Sequence, residues 1–141
     1  MTTENRFLGN PNGTITDNEN HLFWLPKDSR QDLGKWVNWQ EALAYAKIMN
    51  QVYAGGFCDW RFPTKAEALS FYDENLRHLD WENTLIHIHP LFARGAAYYM
   101  WVNDVDENGH ALRLNLRDGS LEYIDKTTLE HQAVRLVRKA Q

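Results

Sequence analysis

The N-terminal part of the chain alternates short apolar stretches with residues that favour turns. Asn12-Gly13 is a pair that tolerates positive φ, and the residues that follow it, 14–16 (TIT), favour extended backbone. A second apolar run occupies residues 21–25 (HLFWL) and stops at Pro26. The pattern therefore predicts a strand, a turn and a further strand, followed by a polar loop over residues 27–35.

An amphipathic helix is predicted after this loop. Asn38 and Glu41 have the spacing of a capping box, in which each side chain bonds the backbone N–H of the other residue. The apolar residues that follow recur every three or four positions and would share one helical face: Trp39, Ala42, Leu43, Ala46, Met49 and Tyr53. The pair Gly55-Gly56 is expected to end this helix.

A second helix is predicted after Pro63, again from local signals. Thr64 and Glu67 repeat the spacing of the capping box. The apolar positions that would line one face of this helix are Leu69, Tyr72 and Leu76. Both helices precede the long strand-like region of the chain.

The last forty residues change to the two-residue period that is typical of strands. Residues 98–102 are aromatic and apolar, and Asn108-Gly109 and Asp118-Gly119 are typical of tight turns. Between the turns, three leucines alternate with polar residues and predict a strand with one face in water: Leu112, Leu114 and Leu116 against Arg113, Asn115 and Arg117. Residues 121–124 and 133–137 would form the remaining strands. Helices followed by antiparallel strands predict an α+β domain.

Composition limits the classes of function. The chain has 141 residues, which fits one domain over residues 1–141, and its 15 basic and 19 acidic residues give a net charge of −4. Without a basic cluster, general nucleic-acid binding is not expected. No run approaches the roughly 18 apolar residues of a membrane span, and the first twenty residues show no secretory signal. The only cysteine, Cys58, excludes an internal disulfide and fits a reducing compartment.

Several blocks of sequence are similar, in the same order, to the motifs of one family. They are GTITD (residues 13–17), the helical pattern W-x-x-A-x-x-Y (39–45), GFCDWRFPT (56–64) and VRLVR (134–138). These blocks resemble the DUF1566 domains, also called Lcl C-terminal domains after a collagen-like adhesin. The resemblance implies a C-type-lectin-like fold, with two helices packed against a twisted antiparallel sheet and the chain ends paired. It also implies a binding or adhesion module.

The chain departs from the family pattern at two positions. Ala46 and Leu136 stand where the family carries cysteines, and the resemblance implies that these positions are neighbours. Both are replaced by apolar residues, which would fill the space without a covalent bond. The departure favours a cytoplasmic protein over a secreted adhesin.

Two short motifs raise the question of a metal. Asp104-x-Asp106-x-Asn108-Gly109 matches the first half of a calcium loop, but position twelve is Asn115 instead of glutamate. A polar hairpin tip is the alternative. His87-x-His89 could present two imidazoles to a transition metal, although no third ligand is evident. We therefore expect no cofactor, with calcium as the alternative.

The residues around Cys58 raise the question of catalysis. We expect a structural role for Asp59-Trp60-Arg61, with Trp60 in the core and the two charged side chains bonded to loop backbone or to each other. Cys58 is expected to be a buried, inert thiol. No catalytic residue is predicted, and an enzyme using Cys58 is the weakest alternative. Trp24 and Trp39 are also expected in the core, whereas the sequence assigns no position to Trp36 and Trp81.

The resulting hypothesis is a non-catalytic binding module whose ligand surface lies between Tyr98 and Tyr123. Trp101 would stack on the ligand, with a core position as the alternative. The polar residues expected on the same surface are Asn103, Asp104, Asp106, Asn108, Arg113, Asn115 and Arg117. A protein partner is favoured because the cysteine pair is missing. A glycan, with or without calcium, is the alternative ligand.

Overall fold

The structure is a computed structural model that describes residues 5–140 and has a mixed α+β fold. Its helices are α1 (Ser29–Leu33), α2 (Trp39–Gln51) and α3 (Lys65–Phe71), with a 3-10 turn at Ala54–Gly56. Its strands are β1 (Phe7–Gly9), β2 (Ile15–Asp17), β3 (Leu22–Trp24), β4 (His78–Leu79), β5 (Leu85–Ile86), β6 (Tyr99–Val105), β7 (Ala111–Asn115), β8 (Leu121–Ile124), β9 (Gln132–Ala133) and β10 (Val137–Lys139). Within residues 5–140, every helix is too short or too polar to cross a membrane.

One sheet joins the beginning and the end of the described chain. Its strand order is β1-β2-β3-β10, and each neighbouring pair is antiparallel. Val137 of β10 lies opposite Trp24 of β3. The predicted N-terminal hairpin is therefore confirmed, and so is the pairing of the chain ends that the family resemblance implies.

A second four-stranded sheet, of order β8-β7-β6-β9, contains the predicted C-terminal hairpins. Strands β6, β7 and β8 are antiparallel, whereas β9 runs parallel to β6 with Gln132 opposite Tyr99. The prediction of one closing strand over residues 133–137 is wrong. The segment is divided, with β9 in the second sheet and β10 in the first, so it links the two sheets.

Helix α2 begins as predicted and ends earlier. The side chain of Asn38 accepts from the backbone N–H of Glu41, and the side chain of Glu41 accepts from that of Asn38. The helix stops at Gln51, before the two glycines that were expected to end it. Its buried face consists of Trp39, Ala42 and Tyr45, while Leu43 is exposed.

Helix α3 has the predicted capping box at Thr64 and Glu67 but a different buried face. Ala68 and Phe71 point into the core, and Leu69 is exposed. The prediction assumed a helix that reaches Leu76, whereas the backbone is already extended at residue 72. A helix of seven residues makes about two turns, so its face is set by tertiary contacts and not by a long periodic stripe.

The prediction of a loop over residues 27–35 is also wrong, because α1 lies inside it. Asp28 caps this helix and forms a capping box with Gln31, and Gly34 ends it in the left-handed conformation at φ 73°. Ser29 is buried: its N–H donates to the carbonyl of Val134, and its hydroxyl accepts from the Val134 N–H. The short polar helix is thereby fastened to the C-terminal segment.

Two apolar clusters form the core. In the first, Trp24 stacks on Phe71 of α3 with ring centroids 4.5 Å apart. The second contains Leu136 and is packed on one side by Ala46 of α2. The two positions that carry cysteines in the family therefore belong to one apolar cluster. The predicted core positions of three tryptophans are confirmed: Trp24, Trp39 and Trp60.

A buried ion pair anchors the first sheet. Both carboxylate oxygens of Asp17 accept from Arg6, at 3.0 and 3.1 Å, and one also accepts from the indole N–H of Trp24. The side chain of Asp17 is fully buried and that of Arg6 nearly so. Burial alone would raise the pKa of Asp17, but the hydrogen bonds and charge of Arg6 hold it below the usual value.

We expect Asp17→Ala to lower the free energy of unfolding by about 3–5 kcal/mol at pH 7, because it removes the buried counter-charge of Arg6 and leaves only the half-exposed Glu19 beside it. Since the folded-state pKa is depressed, this stabilisation is present above the unfolded pKa of about 3.9 and is lost as pH falls through the folded value. Urea unfolding of both proteins from pH 7 to pH 2 measures the difference. The exposed Glu107→Ala is the control, and an equal loss in both variants would contradict the prediction.

Candidate functional site

Trp101 lies in the core, so the expectation that it stacks on a ligand is corrected. Its exposed fraction is 0%, and its indole N–H donates to the carbonyl of Val37 at 2.9 Å. The ring of Trp39 packs edge-on against it with a centroid distance of 5.5 Å. A ring enclosed in this way has no face left for a ligand.

The prediction that the polar face of β7 is exposed to water is also corrected. The side chain of Arg113 is 7% exposed, because Glu122 of β8 and Glu130 from the segment before β9 close over it. Burial opposes the charge of this guanidinium, but the hydrogen bonds to Glu130 and Glu122 raise its pKa. Arg117 follows β7 and is paired with Asp80 and with Glu82.

The other predicted polar residues lie along β6, in the β6–β7 turn and at the end of β7. Asp106 shapes the β6–β7 turn, since one carboxylate oxygen accepts from the N–H groups of Asn108 and His110. Asp104 interacts with the hydroxyl of Tyr123, and Asn103 is exposed on β6. The side chain of Asn115 accepts from the N–H of Arg117 in the next turn. Within residues 5–140, no group of three or more His, Cys, Asp or Glu side chains is arranged to hold a metal ion.

The residues considered for metal binding and catalysis have separate partners. His87 bonds the carbonyl of Leu76 through Nδ1, and Nδ1 of His89 accepts from the N–H of Leu91. The carboxylate of Asp59 pairs with Arg138, and Arg61 pairs with Glu67. Arg61 also donates to the carbonyl of Phe62, so its expected bond to loop backbone is confirmed. The partner expected for Asp59, loop backbone or Arg61, is corrected to Arg138, which lies 79 positions later in β10. The expectation of a buried thiol is wrong, because Cys58 is exposed.

The structure instead assembles a group of partly exposed rings, which we call the aromatic platform: Trp36, Trp81, Tyr98, Tyr99 and His131. Trp36, Trp81 and His131 contact one another with centroid distances of 5.0 to 5.1 Å. Tyr98 extends the group, with its hydroxyl 2.7 Å from Nδ1 of His131, and Tyr99 lies 4.7 Å from Tyr98. Of these residues, only the two tyrosines fall within the predicted surface.

Backbone pairing explains why four distant segments meet at the aromatic platform. Val37 donates to the carbonyl of Gln132, which places the preceding residues, Trp36 and His131, side by side. The parallel pairing of β6 with β9 brings Tyr98 and Tyr99 next to the same histidine. Trp81 donates its backbone N–H to Ala96, just before β6. Sequence periodicity contains no signal for this meeting, because each segment contributes only one or two residues.

Arginine side chains lie on the tyrosines of the aromatic platform. The guanidinium of Arg113 is 3.7 Å from the ring centroid of Tyr99, and that of Arg117 is 3.8 Å from Tyr98. Arg30 lies 5.0 Å from Trp36 at the other end. Such contacts between a cation and a ring face are attractive, and they hold the rings in place. Burial raises the pKa of Tyr98, while the charge of Arg117 opposes the rise.

The indole nitrogen of Trp81 is the unusual polar atom of the aromatic platform. It is shielded from solvent and has no hydrogen-bond partner within the described residues. An unpaired buried N–H is unfavourable and rare in folded proteins. The ring of Trp81 is therefore held by its aromatic neighbours and not by a polar contact.

A second surface is apolar and lies beside α2. Open grooves of about 180 Å³ and 250 Å³ adjoin this helix. The residues lining the smaller groove include Leu33, Val37, Ala44 and Ile48. Tyr45 is the one aromatic ring among the described residues that line these grooves, and it stands beside the charged residues Lys35 and Glu41. The grooves serve below as the comparison surface for binding experiments.

The fold and the aromatic platform define an α+β domain with a fixed group of aromatic and arginine side chains at its surface. The Lcl C-terminal domain family matches residues 13–138, and the chain belongs to this DUF1566-type family. No curated protein and no solved structure matches the chain significantly. The resemblance carried by the sequence motifs is thus confirmed at the level of the family.

We expect Trp101→Ala and Trp81→Ala to differ strongly in stability. Trp101→Ala removes a fully buried ring and should lower the free energy of unfolding by about 3–5 kcal/mol. Trp81→Ala removes a partly exposed ring and should lower it by about 1–2 kcal/mol. Urea unfolding of the two variants measures both values. Equal losses would show that the aromatic platform is part of the core.

Proposed function

We propose that the chain is a non-catalytic binding module of C-type-lectin-like fold that recognises a protein partner through the aromatic platform. The adjoining sheet face between residues 98 and 123 would complete the contact surface. The observation that carries the proposal is the assembly of five partly exposed rings from four segments at one surface. Tryptophan, tyrosine and arginine are the residues most enriched where protein interfaces gain their binding energy.

The rigidity of the aromatic platform supports this proposal. Arg113 is held by Glu122 and Glu130, and Arg117 by Asp80 and Glu82, with hydrogen bonds of 2.6 to 3.1 Å. Side chains that are already ordered lose less conformational entropy when a partner binds. The surface is therefore prepared for binding before the partner arrives.

The positions of the arginines favour a protein over a glycan. A sugar ring stacks on an open aromatic face, but Arg113 and Arg117 already cover one face of Tyr99 and of Tyr98. At the β6–β7 turn, the oxygen of Asp106 that would serve calcium already accepts two backbone N–H groups. A glycan bound with or without calcium remains the second candidate, through the rings of Trp36 and Trp81.

The separation of the titratable groups supports a non-catalytic role. Asp59, His87 and His89 each bond a different partner, so they do not converge on one substrate position together with Cys58. A reducing compartment such as the cytoplasm is part of the proposal. An exposed thiol fits it, and an apolar cluster occupies the place of the cysteine pair of the family.

We expect Trp81→Ala to weaken binding of the protein partner about tenfold or more, since an interface tryptophan is a common centre of binding energy. The partner is captured from a lysate of the source cells with the tagged wild-type chain and then purified. Its affinity for each variant is measured by calorimetry. Ile48→Ala, at a residue of α2 that is 51% exposed and lines the smaller groove, is the matched control and should bind normally.

Other results of this experiment would contradict the proposal. Loss of binding in Ile48→Ala alone would assign the interface to the apolar surface beside α2. Binding of a glycan that depends on Trp81, without any captured protein, would establish the second candidate. A loss of function in Cys58→Ala with Trp81→Ala unaffected would indicate an enzyme.

A further inference from the structure

The arginines of the aromatic platform are outnumbered by the carboxylates that they contact. Arg113 bonds Glu122 and Glu130, and Arg117 bonds Asp80 and Glu82. Two cations thus face four anions, which leaves a net charge of −2 in these two groups. One carboxylate of each group neutralises its arginine, and the other is in excess.

The two signs of charge also differ in depth. The side chains of Arg113 and Arg117 are 7% and 28% exposed and lie flat on tyrosine rings. The glutamates stand outside them: Glu82 is 44% exposed, Glu122 57% and Glu130 55%. An approaching molecule therefore meets carboxylates first, and it meets the guanidinium groups only behind them. We call these three exposed glutamates the acidic rim.

Two further arginines lie near the tryptophans of the aromatic platform. Arg30 lies over Trp36, and the exposed Arg94 bonds the side chain of Asn83, near Trp81. Glu82 of the acidic rim lies between Trp81 and Asn83 in the chain, while Glu122 and Glu130 bond Arg113 over the ring of Tyr99. The acidic rim therefore borders both a tryptophan and a tyrosine of the aromatic platform.

We propose that the acidic rim and the rings beside it bind a basic segment of the protein partner, one that carries arginine or lysine side chains. The inference rests on the proposed function and specifies the chemistry of the partner. Exposed carboxylates attract such side chains and steer their approach. Their cationic groups can also pack against the faces of tryptophan that remain open. An anionic partner would have to approach the acidic rim against electrostatic repulsion.

The test uses a defined probe, the amidated hexapeptide (Arg-Gly)3, with (Glu-Gly)3 as the anionic counterpart. Each peptide is titrated into the 15N-labelled chain, and the indole N–H signals are followed by NMR. We expect (Arg-Gly)3 to shift the signals of Trp36 and Trp81 with a dissociation constant of about 0.1–1 mM. The signals of Trp24 and Trp101 in the core should stay unchanged. Higher salt should weaken the binding.

A double variant removes the excess charge and keeps each arginine paired. Glu82→Gln leaves Arg117 with Asp80, and Glu122→Gln leaves Arg113 with Glu130. We expect this double variant to bind (Arg-Gly)3 about fivefold more weakly. The matched control replaces two other exposed glutamates, Glu74→Gln and Glu107→Gln, and should bind like wild type. Thermal unfolding verifies that both double variants are folded.

The inference is overturned if (Glu-Gly)3 shifts the same indole signals, or if (Arg-Gly)3 leaves them unchanged at about 5 mM. Equal affinities in the two double variants would overturn it as well. Its failure is distinguishable from failure of the proposed function. If partner capture depends on Trp81 but the basic peptide does not bind, the proposed function stands and the partner is not basic. If capture is independent of Trp81, both are wrong.

Discussion

The buried guanidinium of Arg135 and the buried carboxylate of Asp28 connect the segments on which the aromatic platform depends. Arg135 donates to the carbonyls of Leu25 and Pro26, at 3.2 and 2.7 Å. Asp28 caps α1 and accepts from the N–H of Ala97 at 2.8 Å. Ala97 directly precedes the tyrosines of the aromatic platform, and α1 leads to Trp36. Arg135 and Asp28 thus bond the backbone of segments that lead to these rings.

Burying the charges of Arg135 and Asp28 is unfavourable, so we infer that these residues serve to orient the segments they bond. Burial lowers the pKa of Arg135 and raises that of Asp28, while the attraction between the two opposes both changes. Apolar residues of similar size often stabilise a protein at least as well as a buried ion pair. They would not bond the backbone of residues 25, 26 and 97. We interpret Arg135 as holding the segment between β9 and β10 against residues 25 and 26, and Asp28 as holding α1 against the residue before β6 that it bonds, Ala97.

The sequence predicts those elements whose signals are local. The capping boxes at Asn38 and Thr64 and the turn at Asn12-Gly13 need only neighbours in the chain, and each is found in the structure. Helix α1 carries the same signal, since Gln31 stands three residues after Asp28, but its polar surroundings suggested a loop. The buried face of α3 could not be predicted, because two helical turns fit several phases equally well.

The binding surface depends on contacts between distant segments, and the sequence predicts it poorly for that reason. Arg113 alternates with leucines as an exposed residue would, and it is buried only because Glu130, seventeen positions later, closes over it. The residue type alone does not distinguish Trp101 from Trp81. Trp101 lies against Val37 in the core, whereas Trp81 packs on Trp36 at the surface. The sequence feature that indicates this surface is that Trp36 and Trp81 belong to no periodic pattern. An aromatic residue without a place in a strand or helix stripe is a candidate for a surface role, and here two of them meet.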